Sequence, residues 1–291
     1  MTEQNTRLGI YLMALTMLIF ALQDAISQHL ARHYNVYMIV MIRYWFFAAF
    51  VIAFAARQAG GLRKVAATKR PFLQIFRAAL IACEICVMIT SFVHLGLIES
   101  HAVFAAYPLL VAALSGPVLG EKVGWRRWSA IGVGFIGVLV ILQPGMTVFS
   151  PFAIIPLIAA LMFALYGLLN RYAARFDGTA TSFFWTGVVG AILLTPIGLW
   201  HWEAMTPTDW GWMLALCITG ATAHWLLIRC YELTEASALQ PFAYLQLVFA
   251  TILGLLIFGE VLRLNVAIGA GIVISAGMFT LIRARRREKA A

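Results

Sequence analysis

Ten stretches of roughly twenty apolar residues, divided by short polar joints, leave this 291-residue chain few ways to fold. They run near 8–30, 36–56, 71–94, 101–119, 126–143, 151–173, 180–200, 208–231, 238–258 and 264–282. Each is long enough for one helical crossing of a bilayer, which takes about 20 residues. The chain is 63% hydrophobic and 11% charged, whereas a soluble domain is about half apolar and a quarter charged. No water-soluble core of this size could cover so much apolar surface. The expected fold is therefore an all-α membrane protein with ten transmembrane helices. Pro71 and Pro151 suit first helical positions, Thr208 and Asp209 can cap, and Gln143-Pro144-Gly145 ends a helix. The start of the chain lacks the layout of a cleaved signal, so the first apolar segment is read as a retained span. The joints leave no room for a separate soluble domain.

Basic residues orient the spans. With both termini cytoplasmic, the outer joints contain only Arg32 and Arg263 of the 21 Lys and Arg residues, and Arg43 and Arg77 fall inside spans. All the others lie in inner segments. One miscounted span would destroy this bias by sending every later joint to the wrong side. The net charge of +9 then faces anionic lipid headgroups rather than nucleic acid.

The two halves echo each other. FALQDAISQHLAR at 20–32 and FALYGLLNRYAAR at 163–175 share their opening and closing residues 143 positions apart. VLGEKVGWRRWSAIGVG at 118–134 and IFGEVLRLNVAIGAGIV at 257–273 share a Gly-Glu pair, with a glycine eleven residues after each Glu. Five spans per half is an odd number, so the second copy, 146–291, enters the membrane from the side opposite to the first, 1–145. Inverted five-helix repeats are an architecture of secondary transporters, with a site near the midplane.

Two five-helix halves, each with an apolar helix, Gly-Glu and then a Gly-rich helix, resemble the drug/metabolite transporter superfamily, specifically its EamA-like branch. HAVFAAYPLLVAALSGPVLGE at 101–121 is similar to that branch's usual pattern, with Pro108 thirteen residues before Glu121. The second half departs from it, having Leu247 and, nearest, Pro241. Within the branch the chain most resembles bacterial inner-membrane exporters of aromatic amino acids. That resemblance implies an amino-acid substrate and a bacterial inner-membrane location.

Ionisable groups inside a span are costly and point to function. Asp24 and Arg43 lie at similar depth on antiparallel neighbours, so an Asp24–Arg43 ion pair is expected, serving structure, substrate or proton coupling. Glu84, mid-depth in the third span, could receive a substrate amine; Arg77 lies about 10 Å away along the same face. Gln23 and its repeat-related Tyr166, with Asn170, Tyr107, His224, Tyr244 and Gln246, form a candidate polar-aromatic lining. Pro108 and Pro117 mark a candidate hinge. Glu121 and Glu260 are expected to cap or bridge helix ends, and the glycines of the fifth and tenth spans to give close packing.

Cys83 and Cys86 form a lone Cys-x-x-Cys in an apolar helix, which does not make a metal or redox site, and no metal or cofactor is expected. Ser27 and His29 are two apart on a helix and point away from each other, so no catalytic pair forms. The sequence contains no Gly-rich phosphate loop and no paired-His zinc helix. The expected protein is a gradient-driven, alternating-access carrier exporting amino acids, aromatic ones by resemblance, with an exporter of aromatic or cationic xenobiotics as the alternative.

Overall fold

The computed structural model describes residues 6–58, 60–120, 124–143, 151–233 and 240–288. These residues form helices joined by short turns, with no strand among them. In chain order the helices are α1 Thr6–Ala31, α2 Val36–Ala56, α3 Gly61–Ala66, α4 Pro71–Phe104, α5 Tyr107–Leu119, α6 Trp125–Leu142, α7 Ile154–Ala173, α8 Thr179–Trp200, α9 Pro207–Leu233, α10 Leu245–Phe258 and α11 Leu264–Glu288. Single 3-10 turns at Pro151–Ala153 and Gln240–Tyr244 precede α7 and α10.

Local chemistry sets several of these boundaries. Asn35 opens α2 by accepting the Tyr37 N–H at 2.9 Å, and Pro71 opens α4 with a residue that has no N–H to satisfy. At α9 the cap is Thr206 rather than Thr208. Its hydroxyl accepts the Asp209 N–H and donates to the Asp209 carboxylate, so cap and first turn close on each other.

Five helices are long and apolar enough to cross a membrane: α1, α2, α4, α8, and α7 with its preceding turn; shorter apolar stretches lie on α5, α6, α10 and α11. Helix α9 carries Asp209 and His224 and spends much of its surface on α1, so it has less need of an apolar exterior. Large apolar side chains face outward in numbers that water would not tolerate, including Phe72 at 86% and Leu256 at 79% exposure. The chain is a multi-pass membrane protein.

Although α4 runs as one segment from Pro71 to Phe104, it is two arms. Gly96 adopts φ 81° and ψ 177°, and Ser91 Oγ lies 2.7 Å from Ser100 Oγ. Nine residues of straight helix would hold those positions about 13.5 Å apart. The chain therefore reverses at Gly96, and Phe92 stacks on His101 across the bend with ring centroids 5.3 Å apart. A second break follows at Ala105 and Ala106, where the chain passes into α5. The break falls one turn ahead of Pro108, which sits in the first turn of α5, where its ring meets no preceding helical carbonyl. Pro117 is inside the last turn of α5. Pro108, one residue of the candidate hinge, thus marks a helix start rather than a helix interior.

The most extensive pairings are α6 with α11, α1 with α9, α4 with α7, and α2 with α8. Helix α5 also lies on α7, and α10 on α1. The α6–α11 contact is backbone-close, because a Cβ added to Gly137 would meet the Gly269 carbonyl at 2.8 Å. The packing role expected for these glycines is therefore internal at this point. Glu121 and Pro144 lie outside the described residues.

Candidate functional site

A knot of polar groups joins α4 to α7 and α8 at the Asp177 end of the bundle. Arg77 on α4 is 1% exposed, and a buried guanidinium must satisfy every N–H it brings. Nη1 donates to Tyr166 Oη at 3.2 Å and to Asn170 Oδ1 at 2.6 Å. Nε and Nη2 donate to Gln74 Oε1 at 3.2 and 2.8 Å, and Nη2 also reaches the Ser182 carbonyl. The guanidinium carbon stands 5.5 Å from the Tyr166 ring centre, adding a cation–π contact. The Gln74 amide carries the network onward by donating to Asp177 Oδ2 at 2.9 Å, where the Thr68 hydroxyl and Lys69 N–H also arrive. Partial burial alone would raise the Asp177 pKa, but hydrogen bonds from Gln74, Thr68 and Lys69, with the Lys69 charge, hold it below the usual carboxylate range.

The Gly96 end is closed by Glu260. Its carboxylate accepts the N–H groups of Leu97 and Ile98 at 2.8 and 2.9 Å, the open donors at the start of the second α4 arm. Gln28 Nε2 donates to the same carboxylate at 3.1 Å and to the Phe92 carbonyl at 3.2 Å. A Cβ on Gly96 would fall 2.4 Å from Glu260 Oε1, so space as well as φ requires glycine there. Glu99 pairs with Arg263 at 3.3 Å nearby, and Tyr34 donates to Asp209 at 2.7 Å.

Between these ends lies the central cluster. Asp24 on α1 receives Gln246 Nε2 at 2.9 Å, and His101 Nε2 lies 3.2 Å away without aiming an N–H at it. Arg43 does not form the expected ion pair with Asp24. Successive residues on a helix point about 100° apart, and it is Gln23, one position earlier, that shares a neighbour with Arg43. Both meet α9 at Gly220, where an added Cβ would be 3.0 Å from Gln23 Oε1 and 3.5 Å from Arg43 Nε. Depth alone suggested the pair; azimuth decides against it. Glu84 on α4 is 4% exposed, makes no hydrogen bond among the described residues, and lies within electrostatic reach of Asp24 and Arg43.

Two aromatic groups flank these charges. Phe20, Phe47, Phe183 and His224 form one, with Phe20 edge-on to His224 at 5.2 Å and Phe47 edge-on to Phe183 at 4.8 Å. The Nδ1 of His224 is 2.9 Å from the Gly220 carbonyl, which can only accept, so that nitrogen carries the proton. Phe104, Tyr107, Phe163 and Tyr166 form the other, Tyr107 meeting Phe163 edge-on at 5.0 Å. Phe20 and Phe163 are 143 positions apart, the offset of the repeated sequences.

The structure thus brings Gln23, Asp24, Arg43, Glu84, His224 and Gln246 together, with Tyr107, Tyr166 and Asn170 toward the Arg77 knot. Tyr244 lies elsewhere, in the seam with α11, its ring filling the space beside Gly277 and its hydroxyl buried without a hydrogen bond among the described residues. Sequence reading missed His101, Gln28, Gln74 and Asp177. The signal for His101 was its place on an arm that begins four residues earlier at Leu97, hidden by the unmarked turn at Gly96. Arg77 was noticed, but its partners on α7 and α8 are about a hundred residues away in sequence.

Known proteins place this geometry. The EamA-like transporter family matches twice, over residues 7–143 and 151–282. The S-adenosylmethionine uptake transporter of Rickettsia prowazekii is 24% identical over 94% of this chain and 92% of its own length. The riboflavin transporter of Brucella anthropi is 27% identical, covering 83% of this chain and 87% of that protein. The pseudopaline exporter of Pseudomonas aeruginosa is 22% identical over 66% and 68%. A crystal structure at 17% identity superposes with a TM-score of 0.63 over 99% of this chain and 100% of its own, which shows a shared fold. With its two copies of the family pattern, and a buried polar and aromatic cluster between them, the chain is a member of the EamA-like transporter family, a carrier of small molecules and not an enzyme.

Proposed function

We propose that this chain is a secondary carrier of amino-acid-bearing metabolites with a flat ring, of which the aromatic amino acids are the smallest. Its frame is ten membrane-crossing helices in two inverted five-helix repeats, 1–145 and 146–291, with both termini on the cytoplasmic side of a bacterial inner membrane. The family pattern occurring once in each half supports the duplication. So do the helix contacts, which keep the same pattern when the halves are exchanged. The pairing of α1 with α9 becomes that of α7 with α4, α5 on α7 becomes α10 on α1, and α2–α8 and α6–α11 map onto themselves.

The observation that carries the substrate reading is a base and an acid, Arg43 and Glu84, within electrostatic reach of each other and neither in a salt bridge among the described residues, in a cluster that also holds two aromatic groups. A zwitterion would set its carboxylate on Arg43 and its ammonium on Glu84, with the ring against Phe163 and Tyr107 or against Phe20 and Phe47. S-adenosylmethionine, named for one relative, joins an amino-acid group to a flat ring; riboflavin, named for another, supplies the ring alone. Export is the direction taken from the resemblance to aromatic amino-acid exporters. Alternating access is reversible, and the gradients set the flux. Glu84, an acid with no hydrogen-bond or salt-bridge partner among the described residues, also supports a second reading, export of flat organic cations.

Purified protein in liposomes, offered labelled phenylalanine, tyrosine, tryptophan, S-adenosylmethionine and a flat organic cation, tests this. Saturable flux of an amino-acid-bearing compound is expected, with KM raised about tenfold by Arg43→Gln or Glu84→Gln, as for loss of one charge-assisted bond. Saturable cation flux with none of the amino-acid compounds would replace the first reading by the second.

A further inference from the structure

We propose that the wedge between α6 and α11 is a binding site for an anionic phospholipid, separate from the substrate cluster. The two helices touch at Gly137 and Gly269 and part from there, so that a Cβ added at Gly271, which lines the space between them, would meet nothing within 4 Å. The space between them is a cleft of about 860 Å³, lined by Val133, Ile272 and Phe279 along its length and by Trp125, Arg126 and Ser129 at its mouth. That is within the usual size of ligand clefts, about 300–1,000 Å³.

In a membrane this cleft has to be filled. Its walls are mostly apolar, so water has too few partners to stay, and an empty cleft would forfeit dispersion contacts on both helices. An acyl chain is the material at hand. The mouth adds a reason for a negative headgroup. Arg126 is exposed there, its guanidinium 5.3 Å from the Trp125 ring centre. Gly124 has no side chain to cap α6, and among the described residues no side chain caps its first turn, where N–H groups could meet a phosphate. Trp125 itself is 72% exposed, as an anchor at headgroup depth would be. A second copy of the chain fits less well. A two-fold interface on this face would bring Arg126 of each copy toward the other, like charge against like.

The test compares phosphatidylglycerol with phosphatidylcholine of identical chains, added to the delipidated full-length protein in detergent, by native mass spectrometry and thermal unfolding. Wild type should retain phosphatidylglycerol about tenfold better, the factor of one charge-assisted contact. Arg126→Gln should erase that preference while still retaining either lipid. Gly271→Leu, which points into open space and so leaves the fold intact, should fill the wedge and reduce retention of both. Equal retention of the two lipids by wild type would overturn the proposal. So would a preference that survives Arg126→Gln, retention unchanged by Gly271→Leu, or glycerol phosphate without chains binding as well as the lipid. Copies cross-linking through Ser129→Cys in liposomes would overturn it too, and assign the face to a dimer. None of these readouts depends on which substrate the carrier moves.

Discussion

At the scale of single residues, Arg77 gathers more of the fold than any other polar side chain described. Its partners are two side-chain carbonyls, a phenol and a main-chain carbonyl, all neutral. Removing the guanidinium strands buried acceptors on three helices. Arg77→Met should therefore cost about 3 kcal/mol or more, seen as a lower unfolding temperature in detergent and poorer expression. Arg77→Lys should recover only part, because an ammonium cannot reproduce a planar fork of donors. The residue type and depth of Arg77, Asp24, Arg43 and Glu84 were legible in the sequence, since charges in apolar runs stand out. Their partners were not. Whether Asp24 or Gln23 faces Arg43 depends on a 100° step around α1, and hydropathy carries no such phase when a helix is apolar on nearly every side.

Among elements, the turn at Gly96 is the sharpest departure from what the sequence suggested. SFVHLGLIES, 91–100, reads as a span ending followed by a loose joint, yet the reversal takes a single residue. The reason lies far along the chain, in the carboxylate of Glu260, which neutralises the start of the returning arm. Gly96→Ala should destabilise strongly, through both the left-handed φ and the collision with Glu260. Glu260→Ala alone should cost about 1–2 kcal/mol for the lost cap. In the double variant the clash is gone, so the combined loss should be smaller than the sum of the two. A double-mutant cycle on unfolding in detergent measures this, and strict additivity would mean that Gly96 and Glu260 do not meet. The helix start marked by Pro71 was readable in advance because that residue acts locally. A cap supplied from 163 residues away is not.

For the molecule as a whole, the two networks described at its ends each tie one half of the chain to the other: Gln74 and Arg77 to Asn170, Asp177 and Ser182 at one face, Gln28, Leu97 and Ile98 to Glu260 at the other. A carrier open to one side at a time has to undo one while keeping the second. The Asp177 network has a titratable member, and the sign follows from its depressed pKa. The stabilisation is complete above the unfolded aspartate value of about 3.9 and is lost as pH falls below that, through the folded value. Unfolding temperatures of wild type and Asp177→Asn should differ at neutral pH and converge in strong acid. A difference that persists unchanged in acid would remove the carboxylate from the network. The inverted arrangement proposed above makes its own prediction: tags at residues 1 and 291 should both be protected in intact cells and exposed when the inner face is opened. Detection of the two on opposite sides would mean an odd number of crossings.

Because Glu260 is contributed by the opposite half, parting the halves at its face abandons a carboxylate and two main-chain N–H groups in the same movement. Lipid has nothing to offer them, and beside them the Gln28 amide oxygen stands without a partner among the described residues. One amide oxygen cannot replace a carboxylate and its two N–H partners, so water would have to take up the rest, and any parting of the halves there would wet the gap.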